Sequence, residues 1–219
     1  MKILVTAGPT REFFDPVRYI SNRSSGKMGC AVAESALRHG HTVTLILGPV
    51  HIQPPAGAEI VNVTSALDML AAVEKHISSC DALVASAAVA DWRPAETSPI
   101  KIKKRSPAAD NDSAPEPHQI TLVPNPDILA TIAPNKGSRI FVGFAAETND
   151  LISEASAKLK RKGLDMIVAN DITRPGSGFD SDTNEVLFLT PDSGIERLPI
   201  LPKTEVADRI IRWIESNAK

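Results

Sequence analysis

The chain has 219 residues, 42% of them hydrophobic and 23% charged, which supplies one sizeable core and excludes disorder as the main state. Its 24 Lys+Arg against 26 Asp+Glu leave a formal net charge of −2, so no global field recruits nucleic acid and any anion site must be local. No apolar run approaches the ~20 residues of a membrane span, and a strand-like segment from Lys2 leaves no room for a signal peptide, so the chain reads as cytosolic. Cys30 and Cys80 sit in apolar contexts without metal-type spacing and read as reduced core thiols.

Lys2-Ile3-Leu4-Val5-Thr6-Ala7 is a short β-branched run closed by Gly8-Pro9, as expected of a strand buried on both faces. Over residues 25–39, Met28, Ala31, Val32, Ala36 and Leu37 recur at helical spacing, and Gly40 stands where a helix would end. Strands are predicted over 42–47 and 59–63, and Ser65 would cap a helix carrying Leu67, Leu70, Ala71 and Val73. Small and branched residues predict a strand over 82–88. There follow a short helix (128–133), a strand (140–144), a helix (151–162), strands (166–170 and 186–189) and a last helix (206–217). Strands alternating with helices require right-handed crossovers. The expectation is one Rossmann-like, doubly wound α/β domain over 1–219, with a mainly parallel sheet and ligands beyond the carboxyl ends of its strands.

Residues 104–118 contain three prolines and almost nothing that can be buried, so a mobile loop is expected there. The alternating segments on either side, 100–103 and 119–123, suit a β-hairpin projecting from the main sheet.

Gly8 is followed by a long insertion before Gly26-Lys27-Met28-Gly29, which is not the dinucleotide fingerprint, and the second strand ends without an acid for a ribose. The Walker pattern fails as well, because Ser21 replaces its first glycine and Met28 its Ser/Thr. What remains is an Asn-, Arg- and Ser-rich segment running into a helix N-terminus, which suits an anion and equally an ordinary capped helix. A reductase of the short-chain type would need Tyr-x-x-x-Lys, whereas the only tyrosine, Tyr19, is followed four residues on by Arg23.

Ala87-Ala88-Val89-Ala90-Asp91-Trp92-Arg93-Pro94 would let a flat ligand approach the backbone, with Asp91 accepting from a sugar or base; the same run also suits close packing and a turn. On a strand, Lys101 and Lys103 would share one face, suited to an anion or to an edge that resists aggregation. Asn125 and Pro126 suit the N-cap and first position of a helix. Lys158 and Lys162, four apart, share a helical face, suited to a polyphosphate or to solvent.

The order of these elements is more specific than any one of them. Thr6-Ala7-Gly8-Pro9-Thr10-Arg11-Glu12 leads to Asp15-Pro16-Val17-Arg18-Tyr19-Ile20-Ser21-Asn22-Arg23-Ser24-Ser25-Gly26-Lys27-Met28-Gly29. Ala87-Ala88-Val89-Ala90-Asp91, Lys101-Ile102-Lys103-Lys104 and Asn125-Pro126-Asp127-Ile128 follow, then Val142-Gly143-Phe144-Ala145-Ala146-Glu147-Thr148 and Val168-Ala169-Asn170-Asp171. Together they closely resemble bacterial phosphopantothenoylcysteine synthetases, over essentially the whole chain.

In most bacteria this unit is the C-terminal half of a bifunctional coenzyme A biosynthesis protein whose N-terminal half is a flavin-dependent decarboxylase; no flavin is expected in this chain. The resemblance implies a ligase that uses CTP with Mg²⁺. The carboxylate of 4′-phosphopantothenate attacks the α-phosphate to give an acyl-cytidylate and pyrophosphate, and the amine of L-cysteine then displaces CMP. Carried over residue by residue, Lys101 contacts nucleotide and forms the intermediate, Asn22 serves the reaction with cysteine, and Arg18 and Ala88 match positions tied to activity. Ala85, Ser86, Ala87 and Phe144 flank the nucleoside and Asp91 binds the ribose. Lys158, Lys162 and the amides of Asp127, Ile128 and Leu129 hold the triphosphate, while Pro126 has no N–H to give. Which carboxylates, if any, touch Mg²⁺ is not read from the sequence, because a divalent ion on a triphosphate is largely coordinated by phosphate and water. It also implies a homodimer formed through the hairpin, with loop closure over the nucleotide. A nicotinamide-dependent reductase, or a non-catalytic nucleotide-binding partner subunit, is the alternative for this fold class.

Overall fold

A computed structural model describes residues 1–103, 118–147, 150–171, 181–192 and 194–218. Strands β1 (Lys2–Ala7), β2 (Arg11–Phe13) and β3 (Tyr19–Ser21) precede helix α1 (Lys27–Arg38). Strands β4 (Thr42–Leu47) and β5 (Glu59–Asn62) lead to α2 (Ala66–Ile77), and β6 (Ala82–Ala85), β7 (Trp92–Pro94) and β8 (Leu122–Pro124) lead to the short α3 (Ile128–Ile132). After β9 (Ile140–Glu147), α4 (Leu151–Arg161) and β10 (Met166–Asp171) come β11 (Thr183–Asn184), β12 (Val186–Thr190), β13 (Gly194–Arg197) and β14 (Leu201–Pro202), and α5 (Lys203–Asn217) closes the chain.

The main sheet has eight strands in the order β13-β12-β10-β9-β6-β1-β4-β5. Pairing is parallel from β10 through β5 and antiparallel at β12 and β13. This is the doubly wound α/β architecture expected from the alternation. Because successive side chains of a strand face opposite ways, Ile3, Val5 and Ala7 enter a core shared with α1 and α5. Leu4, on the other face, enters a core with α2 and α4. The chain builds outward from β1 to β4 and β5, then returns through α2 to β6 on the far side of β1. Connections leaving β1 and β6 therefore diverge, and a crevice opens at their carboxyl ends.

Local chemistry sets the helix bounds. Gly26, in the left-handed region at φ 77°, precedes α1. Gly40, at φ 78°, ends it, with His41 N–H donating to Ala36 and Gly40 N–H to Leu37. A reciprocal Ser65–Asp68 capping box starts α2. The Ala66 amide also donates to the buried Glu12 carboxylate at 2.9 Å, which turns Ala66, Met69, Ala72, Val73 and Ile77 inward. Of the apolar positions expected for this helix, only Val73 is buried, and Leu67 is exposed. Both cysteines are buried free thiols, and burial pushes each up to about 11. Among the described residues no helix is long and apolar enough to cross a membrane.

Two expected strands differ. The run predicted over 82–88 is a regular strand only to Ala85: the Ala87 amide turns to the Thr6 hydroxyl, and Ala88 returns as an isolated parallel bridge to Pro9. The hairpin exists, but β8 pairs with β7, placing Arg93 opposite Val123, and residues 100–103 form no strand. Lys101 and Lys103 thus do not share a strand face, since the backbone of Ile102 bonds to side chains instead, as described below. Residues 104–117, which hold nearly all of the expected loop together with Lys104, lie outside the described residues, as does Thr148.

Helix α1 sits directly on the end of β1: a Cβ on Gly29 would lie 2.4 Å from the Ala7 Cβ and 3.1 Å from its Cα. Gly29→Ala is therefore expected to cost about 1–3 kcal/mol through overpacking. Urea unfolding should show a lower midpoint at unchanged slope; an unaltered midpoint would contradict this packing.

Candidate functional site

A cleft of about 710 Å³ lies at the carboxyl ends of the strands, reached by Thr6 of β1, Ala85 of β6, Ala146 of β9 and Asn170 of β10. Small residues after β6 let the backbone form its wall. That wall is tied to the first loop, since Thr10 N–H donates to the Ala88 carbonyl and the Ala90 amide donates to the Thr10 hydroxyl at 3.0 Å. Asn22 reaches the same wall, its Nδ2 donating to the carbonyls of Ala88 (3.2 Å) and Val89 (3.0 Å). These bonds fix the carboxamide plane and leave its oxygen as an uncharged acceptor at the cleft.

Opposite lies the start of α3. The sequence pattern suggests Asn125 as its cap, but Asn125 is committed elsewhere: its Nδ2 donates to Ala90 at 2.8 Å and its Oδ1 accepts from Arg93 at 3.2 Å. Asp127 caps the helix instead, accepting the Ala130 amide at 3.1 Å. Pro126, Asp127, Ile128 and Leu129 line the cleft. The other Asp127 oxygen pairs with Lys162, which is only 5% exposed. Burial holds the Lys162 ammonium below the ordinary lysine value, and the Asp91 charge opposes that shift. Lys158, four residues earlier, donates to the Phe144 carbonyl at 2.7 Å. The two lysines expected to share a face therefore point into one cleft, with Arg161 beside them.

The structure brings Asn22, Ala85, Ser86, Ala87, Ala88, Asp91, Pro126, Asp127, Ile128, Leu129, Phe144, Lys158 and Lys162 around this cleft. Arg18 and Lys101 are not among its lining residues. Arg18 is turned to Asp15, through Nε at 3.0 Å, and to the Ile102 carbonyl at 2.8 Å. Lys101, next to Ile102, is exposed. Within one chain, then, the candidate cations do not all converge.

The sequence pattern also misses residues that line the cleft. Lys203 is 6% exposed and donates to the carbonyls of Ser181 and Thr183. Asn184 is 4% exposed, with Nδ2 3.6 Å from the Met28 sulfur and no protein partner for its oxygen among the described residues. Neither carries a local signal, because each sits in a two-residue strand or a helix start whose partners are remote in sequence. Among the described residues no group of three or more His, Cys, Asp or Glu side chains could hold a metal ion. A divalent ion carried by a polyphosphate needs no such group, because phosphate and water supply most of its ligands. The arrangement thus offers cations, helix-start amides and neutral side-chain amides such as Asn22 along a wall of small residues, which suits an anionic ligand carrying a flat group.

Residues 1–217 match the family described as the DNA/pantothenate metabolism flavoprotein C-terminal domain. The coenzyme A biosynthesis bifunctional protein CoaBC of Vibrio cholerae serotype O1 is 47% identical over 214 residues, covering 97% of this chain and 52% of that protein. The chain spans about half the length of the curated relatives it matches. The crystal structure of the C-terminal domain of the bifunctional protein CoaBC is 40% identical, with a TM-score of 0.81, covering 98% of this chain and 94% of that one. A Cab2 H337A mutant in complex with phosphopantothenate-cysteine, 16% identical, has a TM-score of 0.73 over 99% of this chain and 87% of its own, and shares the fold.

The Lys162 environment can be checked directly. Asp91→Asn removes the charge that favours the ammonium, so the Lys162 ε-carbon should titrate at lower pH in the variant by NMR. An unchanged midpoint would show that the two groups do not communicate.

Proposed function

The chain belongs to the DNA/pantothenate metabolism flavoprotein C-terminal domain family, and we propose that it is a phosphopantothenate–cysteine ligase of coenzyme A biosynthesis that activates its acid with CTP. The observation that carries the reading is one cleft, at the reversal point of the sheet, lined by Asn22, Asp91, Lys158 and Lys162 from separate loops and helices.

CTP lies along the backbone wall in this proposal, its nucleoside against Ala85, Ser86, Ala87 and Phe144 and its ribose on Asp91. Lys158, Lys162 and the amides of Asp127, Ile128 and Leu129 receive the triphosphate. When the carboxylate of 4′-phosphopantothenate attacks the α-phosphate, negative charge grows on non-bridging oxygens and pyrophosphate departs. Cations and N–H groups fixed beforehand stabilise that charge without reorganising. Mg²⁺ carried by the nucleotide would supply further neutralisation of phosphate charge. The cysteine amine then adds to the acyl carbon, loses a proton, and CMP leaves with the bridging oxygen. Asn22, neutral and anchored to Ala88 and Val89, orients acyl group and amine without trapping either as an ion pair.

Arg18 and Lys101 enter this scheme from outside the chain's own cleft. Trp92, Leu122 and Ile120 on or beside the hairpin, with Val17 two residues from Asp15 and Ile100 two residues from Ile102, are exposed large hydrophobic residues. We propose that a second copy covers them, giving a homodimer. A flavin-dependent decarboxylase is the expected partner domain or subunit, given the bifunctional relatives.

Incubation with CTP, phosphopantothenate, cysteine and Mg²⁺ should release pyrophosphate, and other nucleoside triphosphates should not replace CTP. Indifference to the nucleotide would contradict the CTP assignment. Asn22→Asp is expected to keep pyrophosphate release while blocking amide formation; normal turnover by that variant would remove Asn22 from the second step.

A further inference from the structure

We propose that Asp15 is a positioning residue that sets the place of Lys101, acting through Arg18 and the backbone of Ile102; this rests on the ligase reading above. Asp15 is fully buried at 0% exposure. Its Oδ1 accepts the amides of Val17 and Arg18, both at 2.8 Å. Its Oδ2 accepts Arg18 Nε at 3.0 Å and the Ile102 amide at 3.1 Å. Arg18 in turn donates to the Ile102 carbonyl at 2.8 Å. One ion pair, buried at Asp15 and exposed at Arg18, therefore takes both backbone groups of a residue 84 positions from Arg18.

Among the described residues no other hydrogen bond to Ile102 is seen. Residues 101–103 form no strand, Ile102 is only half-buried, and Lys101 and Lys103 are exposed. Upstream, the Thr97 hydroxyl donates to Phe13 and the Ser98 amide to Phe14, both at 3.0 Å, so the segment runs alongside the residues that lead into Asp15. A buried carboxylate is costly unless its lone pairs are filled, and here the filling donors include the amide next to the lysine. The Arg18 bonds hold the Asp15 carboxyl well below the usual carboxylate range, so the clasp stays charged throughout the neutral region. A long lysine side chain on a segment outside any strand cannot be delivered to one place by its own rotamers. The clasp removes the backbone freedom that would otherwise spread it.

The test combines amide exchange with a double-mutant cycle on the full chain. In the unsubstituted protein the Ile102 amide should exchange slowly, and Asp15→Asn should abolish that protection. Pyrophosphate release in a single turnover should fall about 10–100-fold in Asp15→Asn. The Asp15→Asn, Lys101→Gln double variant should be no slower than Lys101→Gln alone, because both changes remove one function. Ile102→Pro, which deletes the amide and restricts the Lys101 backbone but leaves the Asp15–Arg18 pair, should give the same non-additive loss and decides the matter if Asp15→Asn fails to fold. Multiplying losses, or wild-type rates in both variants, would overturn the positioning role; fast exchange of Ile102 in the unsubstituted protein would overturn the clasp itself. Slow exchange with no pyrophosphate release at all would instead overturn the ligase reading, and Lys101's part with it.

Discussion

The reversal of strand order between β1 and β6 is the constraint on which the site depends. On one side of it the chain builds toward β4 and β5, and on the other toward β9 and β10, so the loops leaving the middle strands part and cannot fill the gap between them. The crowding this creates is met with small residues. A Cβ on Gly48 would lie 1.9 Å from the Pro9 carbonyl oxygen, and Gly29 allows α1 to rest on the end of β1. Main chain rather than side chain therefore forms much of the wall, so a flat ligand bound there would meet N–H and C=O groups whose positions the sheet already fixes.

Charge is placed locally on a molecule that is nearly neutral overall. Against a formal net charge of −2, the cleft gathers Lys27, Lys158, Arg161, Lys162 and Lys203 around Asp91 and Asp127. Lys162 is held by Asp127 and Lys158 by a carbonyl. The lysine side chains are thus ordered before a polyphosphate arrives, and part of the entropic cost of collecting them has already been met in folding. Asp127 does two jobs with its two oxygens, capping α3 and holding Lys162, so the helix-start amides and the buried ammonium are fixed relative to one another.

Much of this was legible in the sequence where the signal is local. The run Lys2 to Ala7, the helical spacing after Gly26 and the glycine at 40 each report on their own neighbourhood, and the mainly parallel sheet follows from the alternation of strands and helices, while the strand order is set by the tertiary fold. The hairpin was misread for the opposite reason. Residues 100–103 alternate as a strand would, yet the partners of Ile102 are the side chains of Asp15 and Arg18, which no window of sequence displays. The short β2–β3 pairing lay hidden in what reads as a loop insertion, and Asn125 resembles a cap while its amide is spent on Ala90 and Arg93. Asn184 and Lys203 reach the cleft only through tertiary placement. Residue type and spacing indicated the cations; which of them face one another depended on the fold.

We propose that the lysines of α4, the start of α3 and the wall after β6 surround one nucleotide. A crystal structure of the protein with CTP and Mg²⁺ should show the triphosphate between Lys158, Lys162 and the Asp127 amide, with the ribose at Asp91. Nucleotide bound elsewhere on the molecule, with these groups in contact only with protein, would contradict it.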